Sequence, residues 1–271
     1  MKLDIGEVWN EATRLVGANK EVLAALAGVF FLLPSFAFSL LLPAPQPQPG
    51  DSPERIYALV TDFYGDAAPW MLAMVLFQAL GQLAAFALIA RSGRITVGEA
   101  LREGLNAMLP YIGTQLLFGF AMALVAAVIV AIGAGSGSVG AAILLGFVAV
   151  IALIYVSLRL LMILPVIAID RVRNPVQVFK RSWALTQGNA GPIFLFMLLV
   201  FAAFIVGALV VGMVAGLIAG LLGGARALEL TGAATSSLLG AAFTVFIVAA
   251  VSAIHRRLSS GTPDEHANTF S

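Results

Sequence analysis

The sequence contains no cysteine, only 2 histidines, and charged side chains at just 11% of its 271 positions. Without cysteine there is no disulfide, no thiolate nucleophile and no cysteine-ligated metal. The histidines are His255 and His266, eleven apart, the second in a polar tail expected to be disordered. No zinc-ligand spacing, nucleophile elbow or phosphate-binding loop is present. The glycine-rich stretch Gly133–Gly140 lacks the lysine of a phosphate loop and reads as a tight hairpin. Net charge is only +1, so no broad basic field points to nucleic acid. Neither a cofactor nor a metal is expected.

Apolar residues are what the chain has in excess. They make up 61% of it, against roughly 45–50% in soluble domains. A bilayer is the solvent that accommodates such a surplus, and about 20 mainly apolar residues suffice to cross it. Six spans are expected: Val22–Leu42, Ala67–Ala90, Leu109–Ile132, Val139–Ile169, Pro192–Gly220 and Thr235–Ile254. All must be helical, because lipid offers the backbone no hydrogen-bond partner. The first is read as a retained span rather than a signal peptide, since acidic residues Asp4, Glu7, Glu11 and Glu21 precede it. The expected fold is therefore all-α and integral to the membrane, one domain over 1–258 with a polar tail at 259–271.

Lys and Arg set the orientation. Twelve lie on one side: Lys2, Arg14, Lys20, Arg91, Arg94, Arg102, Arg171, Arg173, Lys180, Arg181, Arg256 and Arg257. Only Arg55 and Arg226 lie on the other, and Arg159 falls within a span. Both termini are thus expected in the cytoplasm, with Pro43–Pro49 and the stretch through Tyr64 outside. Tyr64 and Trp70 suit an outer aromatic belt, and Tyr111 an inner one.

The segments before spans one, three and five resemble one another. Each opens with a capping box, in which an N-cap side chain and the side chain three residues on satisfy exposed amides. These are Asp4–Glu7, Thr96–Glu99 and Asn174–Gln177, with Pro175 at the first helical position. Apolar residues come next at helical spacing: Ile5, Val8, Trp9 and Ala12; Val97, Ala100, Leu101 and Leu105; Val176, Phe179 and Trp183. The expected unit is an amphipathic cytoplasmic helix at the interface followed by two spans. It repeats over about 4–90, 96–169 and 174–255 as a pseudo-threefold bundle of parallel units. Amphipathic juxtamembrane helices in general share these features, so the repeat is an expectation to test.

One stretch is more specific. Arg159 late in a span is followed by Pro165, a polar turn, and then Arg181-Ser182-Trp183 with Thr186, Gly188 and Asn189. This pattern resembles the bacterial glycerophosphoryl diester phosphodiesterase membrane-domain family and the related YciC-type inner-membrane proteins. Val178 stands where that pattern carries a smaller alanine. The resemblance implies a multi-pass protein of the bacterial inner membrane whose biochemical role is undefined. Some members carry a catalytic barrel, but no soluble stretch here approaches the roughly 250 residues a barrel needs.

Arg159 is the candidate centre of an intramembrane polar cluster with Gln78, Gln82, Gln115 and Tyr155. Ionisable residues at membrane depth are costly and mark candidate sites. Arg159 could bond carbonyls freed by Pro165 or snorkel to the interface; alternatively it contacts a lipid phosphate or a substrate. Arg171, Arg173, Lys180 and Arg181 form a candidate contact for anionic lipid, although a positive-inside loop would look the same. Gly212, Gly216 and Gly220 suggest close helix packing, inside the bundle in the first instance.

The bilayer, with anionic lipid at its cytoplasmic face, is the expected partner. The expected role is a non-enzymatic scaffold or accessory protein in envelope or membrane-lipid homeostasis. A small transporter or channel with a polar path near Arg159 is the alternative, and a lipid-modifying membrane enzyme is a third.

Overall fold

The computed structural model describes residues 3–43, 45–91, 95–135 and 137–260. Lys2, Arg94 and residues 261–271, His266 included, fall outside the described residues. All regular structure among those described is helical. In chain order the helices are α1 (Ile5–Ala18), α2 (Lys20–Leu41), α3 (Pro53–Ala90), α4 (Val97–Gly135), α5 (Val139–Arg159), α6 (Ile163–Ala168), α7 (Pro175–Leu185), α8 (Ala190–Leu221) and α9 (Gly223–Ser259). Six segments are long and apolar enough to cross a membrane: α2, α3, α4, the stretch Val139–Ala168, α8 and α9.

All three N-caps form, but only the Thr96–Glu99 box closes in both directions. Asp4 Oδ1 accepts from the Glu7 amide at 2.9 Å. Thr96 and Glu99 bond reciprocally, at 2.7 Å to the Thr96 amide and 3.3 Å to the Glu99 amide. Asn174 Oδ1 accepts from the amides of Val176 and Gln177. The three helices then diverge. α1 stops at Asn19, whose side-chain amide donates to the Leu15 carbonyl at 2.9 Å, and α7 stops at Thr186. The middle segment does not stop: α4 runs unbroken through Pro110 into its span.

Two further expectations shift. The second span, expected from Ala67, belongs to a helix that starts earlier: α3 begins at Pro53 with Ser52 as its N-cap, accepting from the Arg55 amide at 3.3 Å. A serine followed by proline at the first helical position was the available signal. Likewise α9 starts directly after α8, at a corner where Gly224 takes φ 67° and ψ −162°. The run Ala225-Arg-Ala-Leu-Glu-Leu230 consists of strong helix formers and winds up at once.

Inside α2 one turn widens. Pro34 has no amide to give to Phe30, and its ring crowds that carbonyl. The chain answers with a π-helical turn at Gly28–Leu32, in which the Leu33 amide reaches back to Gly28. The turn sets Phe30 against α3, its ring stacked on Phe77 at 4.6 Å between centroids.

The core lies at one end of the bundle. There α1, the C-terminal halves of α3 and α9, and the short α6 bury Val8, Leu83, Ile89, Val166, Ile167 and Ile254. Towards the other end the helices present Phe120, Val128, Ile143, Phe147, Met213 and Leu217 on their surfaces. An apolar exterior this extensive far exceeds what soluble monomers show, and bilayer hydrocarbon covers it. Of the three glycines expected to pack inside the bundle, Gly212 and Gly216 face open space, while Gly220 lies against the Leu228 side chain of α9, a methyl there meeting it at 3.7 Å.

Candidate functional site

The recognisable motif folds into one joint at the core end. Its first element is a helix break. Pro165 would collide with the carbonyl of Leu161 in a continuous helix. α5 therefore ends at Arg159, the chain turns through Leu160–Met162, and α6 begins with Pro165 in its first turn, where proline is tolerated. The expected fourth span, Val139–Ile169, is thus two helices. α5 has 21 residues, which at 1.5 Å each is roughly 30 Å, one hydrocarbon thickness. Arg159 stands at the end of a span-length helix, not in its middle.

The break leaves the Arg159 carbonyl without a partner in its own helix, because the Ile163 amide bonds Leu160 instead. Two hydroxyls at the end of α7 face it: Ser182 Oγ donates at 2.9 Å, and Thr186 Oγ1 lies within reach at 3.2 Å, its one proton shared with the Ser182 carbonyl at 3.0 Å. Residues four apart share a helix face, so the Ser-x-x-x-Thr spacing aims both hydroxyls at one oxygen. Both residues are fully buried. Beyond them Gly188 takes φ 77°, the left-handed conformation that ends many helices. Asn189 then opens α8, and its Oδ1 accepts the Leu3 amide at 3.0 Å, tying the N-terminal segment to the joint.

The Arg159 side chain stacks on α7. Its guanidinium carbon lies 4.5 Å from the ring centre of Trp183 and 5.6 Å from that of Tyr155. The two rings meet edge to face at 6.0 Å. Such cation–π contacts reach about 2 kcal/mol when desolvated. Of the expected polar cluster, only Arg159 and Tyr155 come together. Gln78 donates to Ser35 at 3.2 Å, joining α3 to α2. Gln115 reaches Tyr111 on its own helix at 3.4 Å, and Gln82 is half-buried on α3.

A layer of ion pairs surrounds the joint. Glu103 holds Arg91 at 3.0 Å and Arg171 at 2.9 Å. Arg171 has φ 56°, unusual for a residue with a side chain. Glu11 holds Arg14 and Arg256, and Glu7 holds Arg257, which fastens α1 to the end of α9. Arg256 also donates to the Ile89 carbonyl at 2.7 Å, closing α3 onto α9. A cleft of about 750 Å³ opens here beside Arg14, Arg91 and Arg256. In the proposed lipid cluster, Arg171 and Arg181 are paired internally. Arg173 and Lys180 are both exposed and, among the described residues, form no ion pair.

Asp170 was missed by sequence reasoning, as was its neighbour His255. The carboxylate lies 3.3 Å from Arg181 and 3.0 Å from His255 Nε2, although that ring nitrogen is not aligned for a hydrogen bond. No local spacing signals a contact between residues 85 positions apart. Burial alone would raise the Asp170 carboxyl, but the His255 and Arg181 contacts outweigh it and hold it below its ordinary 3.8. A carboxyl lowered by folding stabilises the fold above its unfolded value, and that stabilisation vanishes as pH falls through the folded value. The loss therefore comes below pH 3.8. Asp170→Asn should lower the melting temperature in detergent at pH 7 and flatten the acid limb of the melting-temperature profile. An unchanged acid limb would remove Asp170 from this role.

Residues 137–261 match the family described as the membrane domain of glycerophosphoryl diester phosphodiesterase, and this stretch includes every position of the motif. No curated protein and no solved structure matches the chain.

Proposed function

From a multi-pass membrane protein that carries this family's membrane domain over residues 137–261, we propose an accessory protein of the bacterial inner membrane. It acts without catalysis, in envelope or membrane-lipid homeostasis. Its charged end faces the cytoplasm with both termini and meets anionic phospholipid there. The observation that carries this reading is the ion-pair layer. It lashes α1 and α7 across the span ends and leaves Arg173 and Lys180 without a carboxylate among the described residues. Basic residues at that level attract anionic lipid by about 1 kcal/mol each. The dispersal of Gln78 and Gln115 away from Arg159 favours this role over transport along a polar path.

On the same reading α1, the start of α4 and α7 are three interfacial helices, each leading two spans in a pseudo-threefold bundle. The three N-cap bonds support this, as do Asn19 and Asn189 at matching corners. The unbroken α4 is the point at which the middle unit departs.

Mass spectrometry of the detergent-extracted protein, scoring co-purified lipids and proteins, tests the function. Anionic phospholipid should be enriched over its share of the membrane, and less so in Arg173→Gln/Lys180→Gln. Recovery of neither lipid nor protein partner would sink the proposal.

A further inference from the structure

Six arginines at the charged end have a carboxylate within ion-pair distance: Arg14, Arg91, Arg171, Arg181, Arg256 and Arg257. Arg159 is more deeply buried than any of them, at 6% exposure. Yet among the described residues its guanidinium has no carboxylate and donates no hydrogen bond, and its Nε is enclosed without a partner. A guanidinium carries five N–H donors and cannot shed its charge. Leaving it unpaired when buried costs more than leaving a neutral donor so. The two rings offset part of that cost, but a π face accepts none of the in-plane N–H bonds.

We propose that Arg159 is a phosphate-binding residue, and that the acceptor it lacks is a phosphate ester drawn from the adjoining leaflet. Three observations converge on that ligand. The guanidinium stands at the end of a helix one hydrocarbon thickness long, the level at which phospholipid phosphates lie. Its walls, Tyr155 and Trp183, are both exposed, at 46% and 40%, and the apolar surface of α5 continues from them through Ile151 and Ile154. The edge between the rings therefore opens towards lipid. Finally, the planar fork is held against the Trp183 ring, on a backbone whose carbonyl is fastened to Ser182 and Thr186. A planar guanidinium matches a phosphate's paired oxygens.

This inference rests on the charged end being lipid-facing but not on Arg173 and Lys180, so its test uses neither. Phosphatidylglycerol is titrated into the detergent-solubilised full chain and bound lipid is counted by native mass spectrometry. Diacylglycerol, which lacks the phosphate, is the comparison. Inorganic phosphate and glycerol 3-phosphate are added as competitors. The wild type should hold phosphatidylglycerol in preference to diacylglycerol. Arg159→Gln should weaken that binding about tenfold or more, with Arg159→Lys in between because it keeps a point charge and loses the fork. Resistance to the competitors identifies the lipid headgroup as the source, and displacement by them identifies a soluble phosphate ester. Equal binding of both lipids by the wild type would overturn the proposal, even if Arg159→Gln failed to fold. So would undiminished phosphatidylglycerol binding by a folded Arg159→Gln.

Discussion

Gly81→Ala destabilises the protein by about 3 kcal/mol, at the upper end of the usual cost of overpacking a core. A methyl group at this position would stand 2.4 Å from Phe30 Cβ and 2.8 Å from its Cγ. Those atoms sit at the root of the side chain and cannot swing aside without moving the backbone of α2. That backbone is held by the π-helical turn before Pro34, and the Phe30 ring is held by its stack on Phe77. The methyl thus sets the α2–α3 contact against both. Gly212→Ala and Gly216→Ala are the matched controls. The added carbon meets nothing there, and both should fold as the wild type does. Thermal unfolding in a mild detergent distinguishes the cases. A Gly81→Ala protein that melts with its controls would refute the packing of α2 on α3.

Removing the two hydroxyls that hold the Arg159 carbonyl has the second large effect, and its signature is non-additivity. With Ser182→Ala alone, the Thr186 hydroxyl is within reach to turn to the oxygen; with Thr186→Val alone, Ser182 bonds it. Each single variant should lose roughly 1 kcal/mol, the ordinary net worth of a hydrogen bond. The double variant leaves a buried carbonyl with no partner, and should lose about 3 kcal/mol or more, exceeding the sum of the singles. Strict additivity would mean that the carbonyl finds another donor and that α7 is not fastened to the end of α5 in this way.

The spans were legible in the sequence because membrane length and apolar composition decide them almost alone. The capping boxes were legible because they are local. The fate of the helix behind each box was not. Whether a capped helix stops or continues is decided further along the chain. Asn19 stops α1 by bonding the Leu15 carbonyl, while nothing between Thr96 and Pro110 stops α4. The beginning of α3 was hidden by its aspartates, although Ser52 and Pro53 announce it.

At the candidate site the residue identities could be read and the contacts could not. The motif named Arg159, Ser182, Trp183 and Thr186, but their partnership is tertiary. Bonding to carbonyls freed by Pro165 was one of the roles open to Arg159, beside snorkelling and a phosphate or substrate contact. Instead Pro165 ends the helix, and it is Arg159's own carbonyl that is freed and captured. The acidic halves of the ion pairs, Glu7, Glu11, Glu103 and Asp170, were visible only as charges on helix faces and loops.

Because the chain has no native cysteine, single cysteines report its orientation without background. Gln46→Cys, on the segment between α2 and α3, and Ser260→Cys, at the end of α9, mark opposite ends of the bundle. Both are treated in intact cells with a membrane-impermeant maleimide. The account predicts labelling of Gln46→Cys from outside, and of Ser260→Cys only after the membrane is permeabilised. Labelling of Ser260→Cys in intact cells, or protection of Gln46→Cys, would contradict the placement of the charged end, and Arg159 with it, on the cytoplasmic side.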